Sequence, residues 1–285
     1  MNRSRYKTKI MIAFCCLTFL FYGCAKQITS TEISNATINY TYNSHGFIVI
    51  PLGDGAYILI DTGATGSLIF SDRKKIDSKP IIGQGVINQV DTFPIKRKNI
   101  FQIGDLVIKN HNFVFAKAKN TVFNKETAIV GVIGMDILSQ KHTFFDLKNQ
   151  TITFSDKRNV QCTPPSLIFS YELPNRPYFN LCVNGIVFEN VLFDTGFNCF
   201  LTLLEKDKAK LNSQNHLQQT SNIDFFNNQR TIYSGQFNSI QINDISFYNQ
   251  MYSFGARTRL LGMGFVRQFS SFLIDPFERK IMFFE

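Results

Sequence analysis

The 285-residue chain has no tryptophan, only four histidines, and just 18% charged residues. His45, His111, His142 and His216 are scattered, and no His-Glu-x-x-His pair, Gly-x-Ser-x-Gly elbow or Walker-type glycine loop occurs. Zinc-peptidase, serine-hydrolase and P-loop chemistry therefore lack sequence support. Cysteine is sparse too. Cys15 and Cys16 lie in an N-terminal apolar run and Cys24 follows it, which leaves Cys162, Cys182 and Cys199 in the body. Three cysteines without Cys-x-x-Cys spacing make neither a disulfide framework nor a zinc site. Cys182 and Cys199 read as small apolar packing residues, and neither a metal nor a cofactor is expected. Long basic runs are also missing. Four of the positive charges (Arg3, Arg5, Lys7, Lys9) precede residue 23, so the net charge of +9 falls to +5 without them. The clusters Arg73-Lys74-Lys75 and Lys96-Arg97-Lys98 are short loop charges, not the stripe a nucleic-acid partner requires.

Those four basic residues lead into Ile10–Tyr22, 13 residues that are too few to span a bilayer comfortably but suit the core of a signal peptide. Gly23-Cys24 follows, and a small residue before Cys at this point resembles the lipobox of bacterial lipoproteins. The resemblance implies a signal peptide over 1–23 and lipidation of Cys24, hence a chain anchored by lipid to a bacterial membrane in the cell envelope, periplasmic or surface-exposed. Phe21 and Tyr22 are bulkier than the usual residues there, and an uncleaved anchor is the alternative. Residues 24–45, rich in Thr, Ser and Asn, read as a polar tether, with a short propeptide over Thr29–Ser44 as a second reading.

Phenylalanine is abundant, at 30, with 10 tyrosines and 44% hydrophobic residues overall. Aromatic and β-branched residues favour strands, so an all-β core is expected. Within it the tripeptide Asp-Thr-Gly occurs twice, as Asp61-Thr62-Gly63 and Asp194-Thr195-Gly196, each closing an apolar run. At ordinary residue usage one such tripeptide appears by chance about 0.06 times in a chain this long. A lone copy reads as a turn, with Asp accepting local hydrogen bonds and Gly relaxing the backbone. Two copies in one context point to paired carboxylates.

The remaining signals also come twice and in one order. A hairpin with Gly53-Asp54-Gly55 leads to the first copy, and one with Asn184-Gly185 leads to the second. Ile103–Asn110 aligns with Ile242–Asn249, Val132–Met135 with Leu260–Met263, and Phe145–Phe154 with Ile274–Phe283, at spacings of 139, 128 and 129 against 133 for the Asp-Thr-Gly pair. Small changes of spacing are what loop insertions leave behind, so the chain reads as a tandem duplication. The lobes are expected at 46–157 and 169–285, joined by a polar, proline-bearing linker over 158–168. Short helices are expected near Asp136–Gln140, near Leu204–Asn212 and after Gly264.

From residue 46 onward these motifs resemble the bilobal aspartic peptidases of the pepsin/retropepsin superfamily. Asp61-Thr-Gly-Ala64 is similar to the retropepsin turn, and Gly131–Leu138, repeated as Leu260-Leu-Gly-Met263, is similar to the family's later segment of two apolar residues and a glycine. The resemblance implies an all-β, two-lobed acid protease fold and an aspartic endopeptidase that hydrolyses an extended polypeptide with a water held between Asp61 and Asp194. It further implies that Thr62 and Thr195 lock the opposite turn, that Gly63 and Gly196 let the turns approach and adopt angles a Cβ forbids, and that Gly134 and Gly262 support the turns from behind. A flap would fall in Ile81–Lys96, with Gly83 and Gly85 as flexible points, and its counterpart in Ile223–Tyr233; no pepsin-type flap tyrosine is found in the first. Ala64 and Phe197 stand where pepsin-like turns often carry a hydroxyl. Losing a hydrogen bond to a carboxylate raises its pKa, so activity in mild acid is expected. With both turns in one chain, the catalytic unit is expected to be a monomer. The alternative function is a non-catalytic, peptide-binding envelope lipoprotein with the same fold.

Overall fold

The computed structural model of the chain describes residues 30–53, 55–70, 80–84, 90–116, 128–158, 164–211, 217–223 and 229–285. The proposed signal segment, Cys24, Cys162 and His216 lie outside them. Seven strands of the first half form a sheet in the spatial order Ile48–Pro51, Tyr57–Ile60, Ile129–Ile133, Leu68–Phe70, Leu106–Ala116, Val90–Ile103, Pro80–Gln84. Thr41–Tyr42 extends it beside Ile48–Pro51, and Glu32–Ile33 pairs with Leu106–Ala116. The second half repeats the order strand for strand: Tyr178–Val183, Ile186–Phe193, Arg259–Leu261, Leu201–Leu204, Ile245–Ala256, Gln229–Ile242, Gln218–Ile223. Pairing senses repeat as well. Tyr57–Ile60 and Ile186–Phe193 each run parallel to the strand that follows them in space, and that strand is antiparallel to the next.

The duplication extends to single backbone angles. Asn110 and Asn249 both have φ of 56°, and Gln150 and Arg279 both have φ of 53°. Gly104 and Asn243, which close equivalent hairpins, have φ of 55° and 49°. Left-handed conformations cost most residues about 1–2 kcal/mol, so their recurrence at matching positions marks inherited turns. The short helices fall at Met135–Leu138 and Met263–Val266, each directly after the paired glycine, with a 3-10 turn at Glu205–Asp207.

A third sheet joins the halves, in the order Leu167–Ser170, Lys280–Phe284, Ser271–Asp275, His142–Asp146, Thr151–Ser155, Ala36–Asn39. Three strands come from each half. At its centre Phe144 pairs with Leu273, its own counterpart in the repeat, so the pseudo-twofold axis passes between them. Stacked Phe145 and Phe272, with ring centroids 4.2 Å apart, fill the space beneath. Among the described residues the twelve largest fully buried side chains are Tyr252 and eleven phenylalanines, so the phenylalanine content is core. The polar segment expected as a tether departs from that reading in its described part. Residues 32–33, 36–39 and 41–42 are strands, and Ile33, Ile38 and Tyr40 are buried. These few buried side chains, with half-buried Ala36 and Tyr42 packed beside them, suffice to seat the short edge strands.

Candidate active site

Tyr57–Ile60 and Ile186–Phe193 are central strands with sheet on both edges, which is why their ends are continuously apolar. Each parallel ladder extends one residue further, since Asp61 N–H donates to Ile133 O and Asp194 N–H to Leu261 O, both at 3.0 Å. That bond fixes where each carboxylate emerges. The chain then turns, and Met135 N–H holds Ala64 O at 2.8 Å while Met263 N–H holds Phe197 O at 2.7 Å. Met135 and Met263, each directly after the glycine, thus hold the two turns from behind.

The turns face each other across the pseudo-twofold. Thr62 Oγ1 donates to Phe193 O at 2.8 Å and accepts the Thr195 N–H at 3.0 Å. Reciprocally, Thr195 Oγ1 donates to Ile60 O and accepts the Thr62 N–H, both at 3.0 Å. Both threonines are buried. The carboxyls of Asp61 and Asp194 are hydrogen-bonded to one another. An ideal Cβ on Gly63 would sit 2.6 Å from the Asp194 carboxyl carbon, and one on Gly196 would sit 2.7 Å from that of Asp61. Glycine is needed at both positions for space. The expectation that it is needed for backbone angle is corrected here, because neither has a positive φ.

The two carboxyls differ in their donors. Asp61 Oδ1 accepts the N–H groups of Gly63 at 2.8 Å and Ala64 at 3.1 Å, whereas Asp194 Oδ1 accepts that of Gly196 at 2.8 Å. Burial raises the pKa of Asp61, opposed by its hydrogen bonds to Asp194 and to backbone N–H groups. Asp194 is raised well above the usual carboxylate range by burial, then by the Asp61 charge and their shared hydrogen bond. Both residues keep partial solvent exposure, so water can reach the pair. Two such carboxyls share a single proton and titrate as a pair.

Sequence reasoning missed what lies behind the first turn. Asp136, at the start of helix Met135–Leu138, accepts the Ser67 hydroxyl at 2.6 Å, the Ser67 N–H at 2.8 Å and His111 Nε2 at 3.0 Å. The signal was a carboxylate two residues after Gly134, but its partners come from distant segments. The flap candidate includes the antiparallel pair Pro80–Gln84 and Val90–Ile103, with its tip outside the described residues. Its counterpart pairs Gln218–Ile223 with Gln229–Ile242. Cys182 and Cys199 are half-buried free thiols. A cavity of about 410 Å³ lies apart from the turns, between Tyr42, Lys148, Arg267, Phe269 and Glu285. Among the described residues no group of three or more His, Cys, Asp or Glu side chains is placed to hold a metal ion, and no helix is long and apolar enough to cross a membrane.

The fold is all-β, two-lobed and duplicated, with an Asp-Thr-Gly turn from each lobe at the junction. No family model matches the chain, and no curated protein matches it. Among solved structures it is similar to a retropepsin-like aspartic protease from Rickettsia conorii, with 22% identity over 41% of this chain and 88% of that one and a TM-score of 0.31. A likeness so low leaves the fold to rest on strand order and on the paired turns.

Proposed function

We propose that the protein is an aspartic endopeptidase, with Asp61 and Asp194 as its catalytic residues and Thr62, Gly63, Thr195 and Gly196 as the support of the two turns. The observation that carries this is the hydrogen-bonded carboxyl pair held by four reciprocal threonine bonds. A binding cleft has no use for two half-buried acids forced together. Asp61, with the larger number of N–H donors, is the ionised partner and takes a proton from a water as its oxygen attacks the amide carbonyl. Asp194 donates its proton's hydrogen bond to the carbonyl oxygen as negative charge develops there. Collapse of the tetrahedral species breaks the C–N bond while the leaving nitrogen is protonated, and the pair returns to one proton. The substrate lies extended between the lobes and hydrogen-bonds as an added strand.

The test is incubation of the chain lacking residues 1–24 with an unstructured protein across pH, beside Asp61→Asn and Asp194→Asn. Cleavage by the parent and a loss of about 10³-fold or more in both variants is the expected outcome, since the two acids act as one unit. Three inert proteins that still bind peptide would instead assign the fold a binding role. The same reading includes anchorage of the body to a bacterial envelope membrane through lipid on Cys24, which Cys24→Ala should release from the membrane fraction.

A further inference from the structure

The two turns match in backbone but not in what stands behind them. Behind the first is a partly buried polar chain, its two ends Thr31 and Asp136 half-buried. Thr31 Oγ1 meets His111 Nδ1 at 3.1 Å, His111 Nε2 meets Asp136 Oδ2 at 3.0 Å, and the Ser67 hydroxyl meets Asp136 Oδ1 at 2.6 Å. Ser67 Oγ in turn accepts the Gly134 N–H at 3.0 Å. Ser67 and His111 are 0% and 5% exposed. A carboxylate only accepts, so His111 Nε2 carries a hydrogen and donates to Asp136, while the Thr31 hydroxyl partners Nδ1 on the far side of the ring. Behind the second turn the positions equivalent to Ser67 and Asp136 are Phe200 and Gly264. The Gly262 N–H bonds to the Phe200 backbone carbonyl, and the Phe200 ring packs edge-on against Phe247 and Phe265. A Cβ on Gly264 would sit 2.6 Å from Phe200 N, so no carboxylate fits there.

The polar chain connects to the reacting group through three backbone peptides. Gly134 is clamped by Ser67, and the next N–H, of Met135, holds Ala64 O at 2.8 Å. The same Ala64 presents its own N–H to Asp61 Oδ1 at 3.1 Å. The Ala64 N–H also meets the Asp61 backbone carbonyl at 3.3 Å, as the Phe197 N–H meets that of Asp194 at 3.2 Å; what differs on the unbraced side is that the Asp194 carboxyl has the Gly196 N–H as its donor from the turn. We propose that Thr31, His111, Asp136 and Ser67 are positioning residues forming a one-sided brace, which holds the Ala64 peptide against Asp61 and so makes Asp61, not Asp194, the partner that accepts the proton of the attacking water. The inference rests on the endopeptidase reading for its kinetic consequence but not for its structural one. Thr31 immediately precedes Glu32–Ile33, whose pairing with Leu106–Ala116 brings it over His111. The N-terminal edge of the folded body is therefore part of the brace.

Three variants loosen it with little change of volume: Asp136→Asn, His111→Gln and Ser67→Ala. Ser67→Thr keeps the hydroxyl and is the rescue, and Phe200→Leu is the control on the unbraced side. The first readout needs no activity. In protein labelled with carboxyl-13C aspartate, the lower of the pair's two titration steps should move up by about one pH unit in the three variants, a tenfold change in the equilibrium that corresponds to about 1.4 kcal/mol. It should stay in place in Ser67→Thr and Phe200→Leu. The second readout is kinetic. The acid limb of kcat/KM, which reports the free enzyme, should move up by the same amount, and kcat should fall about tenfold with KM within twofold, as for an interaction made in the transition state. A lower melting temperature with an unmoved titration would make the network mere fold support and overturn the proposal. If the parent cuts nothing while the 13C titration moves as stated, the endopeptidase reading fails and the brace stands.

Discussion

Gly63 and Gly196 set how closely the two acids can approach, and their replacement separates space from backbone angle. With a Cβ placed 2.6–2.7 Å from the opposite carboxyl carbon, Gly63→Ala or Gly196→Ala must push one Asp aside. Because neither glycine has a positive φ, the variants should fold, with melting temperatures only a few degrees lower, yet lose at least about 10²-fold in kcat, as catalytic groups do when displaced by an ångström. Folded variants of full activity would refute the contact. The threonines behave differently. Thr195→Val strips the Thr62 N–H and the Ile60 carbonyl of buried partners, and each unsatisfied group costs about 1–3 kcal/mol. Denaturant titration should show a loss of roughly 2–5 kcal/mol, largely restored in Thr195→Ser. Asp61, Thr62, Gly63 and their copies were legible because three adjacent residues carry the signal twice. Ser67, His111 and Asp136 were not, because they meet only after a strand, a hairpin and a helix have folded, and no spacing along the chain announces it.

The hairpins were legible wherever a turn pair interrupted two apolar runs, as at Asn184-Gly185, and equivalent runs repeated in order. The strands over 32–42 were hidden by composition. Thr, Ser and Asn dominate there, and the buried apolar signal is reduced to Ile33 and Ile38 in strands of two to four residues and Tyr40 between two of them. Their burial makes the segment part of the body. Thr37 meets Thr153 across the sheet at 2.9 Å, and Asn35 accepts from Lys141 at 2.8 Å. Burying each of the three apolar side chains contributes about 1.5–3 kcal/mol. A chain beginning at residue 30 should melt like one beginning at residue 25, whereas one beginning at residue 43 should melt more than about 10 °C lower, taking 2–4 °C per kcal/mol for a chain of this size. Equal melting points for all three would return the segment to the role of tether or removable propeptide.

On the pseudo-twofold axis the halves meet through the reciprocal threonine bonds above and the Phe144–Leu273 strand pair below, and off it through contacts such as Arg267 with Tyr42 and His142 with Asp275. Duplication was legible from order and spacing, but the shared six-stranded sheet was not, since one strand cannot declare a partner in the other half. Because the axis lies within the chain, cleavage rate per molecule should stay constant over a hundredfold dilution, and a rate rising with concentration would point to assembly of chains. The same enclosure has a cost at neutral pH. Both acids have pKa values raised in the fold, Asp194 more than Asp61. Below the unfolded value of about 3.9 both states keep their protons, and the fold's preference for the protonated pair is fully expressed. As pH rises through the folded values that stability is lost. Asp194→Asn removes the more perturbed group. Carboxylates lowered in the fold work in the opposite sense. Burial alone would raise Asp207, yet its bonds to Arg259 at 2.7 and 2.9 Å bring it below the usual range, so its contribution is lost as pH falls. It is common to both proteins and cancels in their difference. Calorimetry should therefore find Asp194→Asn melting several degrees above the parent at pH 7, because each tenfold weakening of the acid by the fold is worth about 1.4 kcal/mol, with the gap closing toward pH 3. A gap independent of pH would mean that the Asn acts through packing and that the two carboxyls do not share a proton.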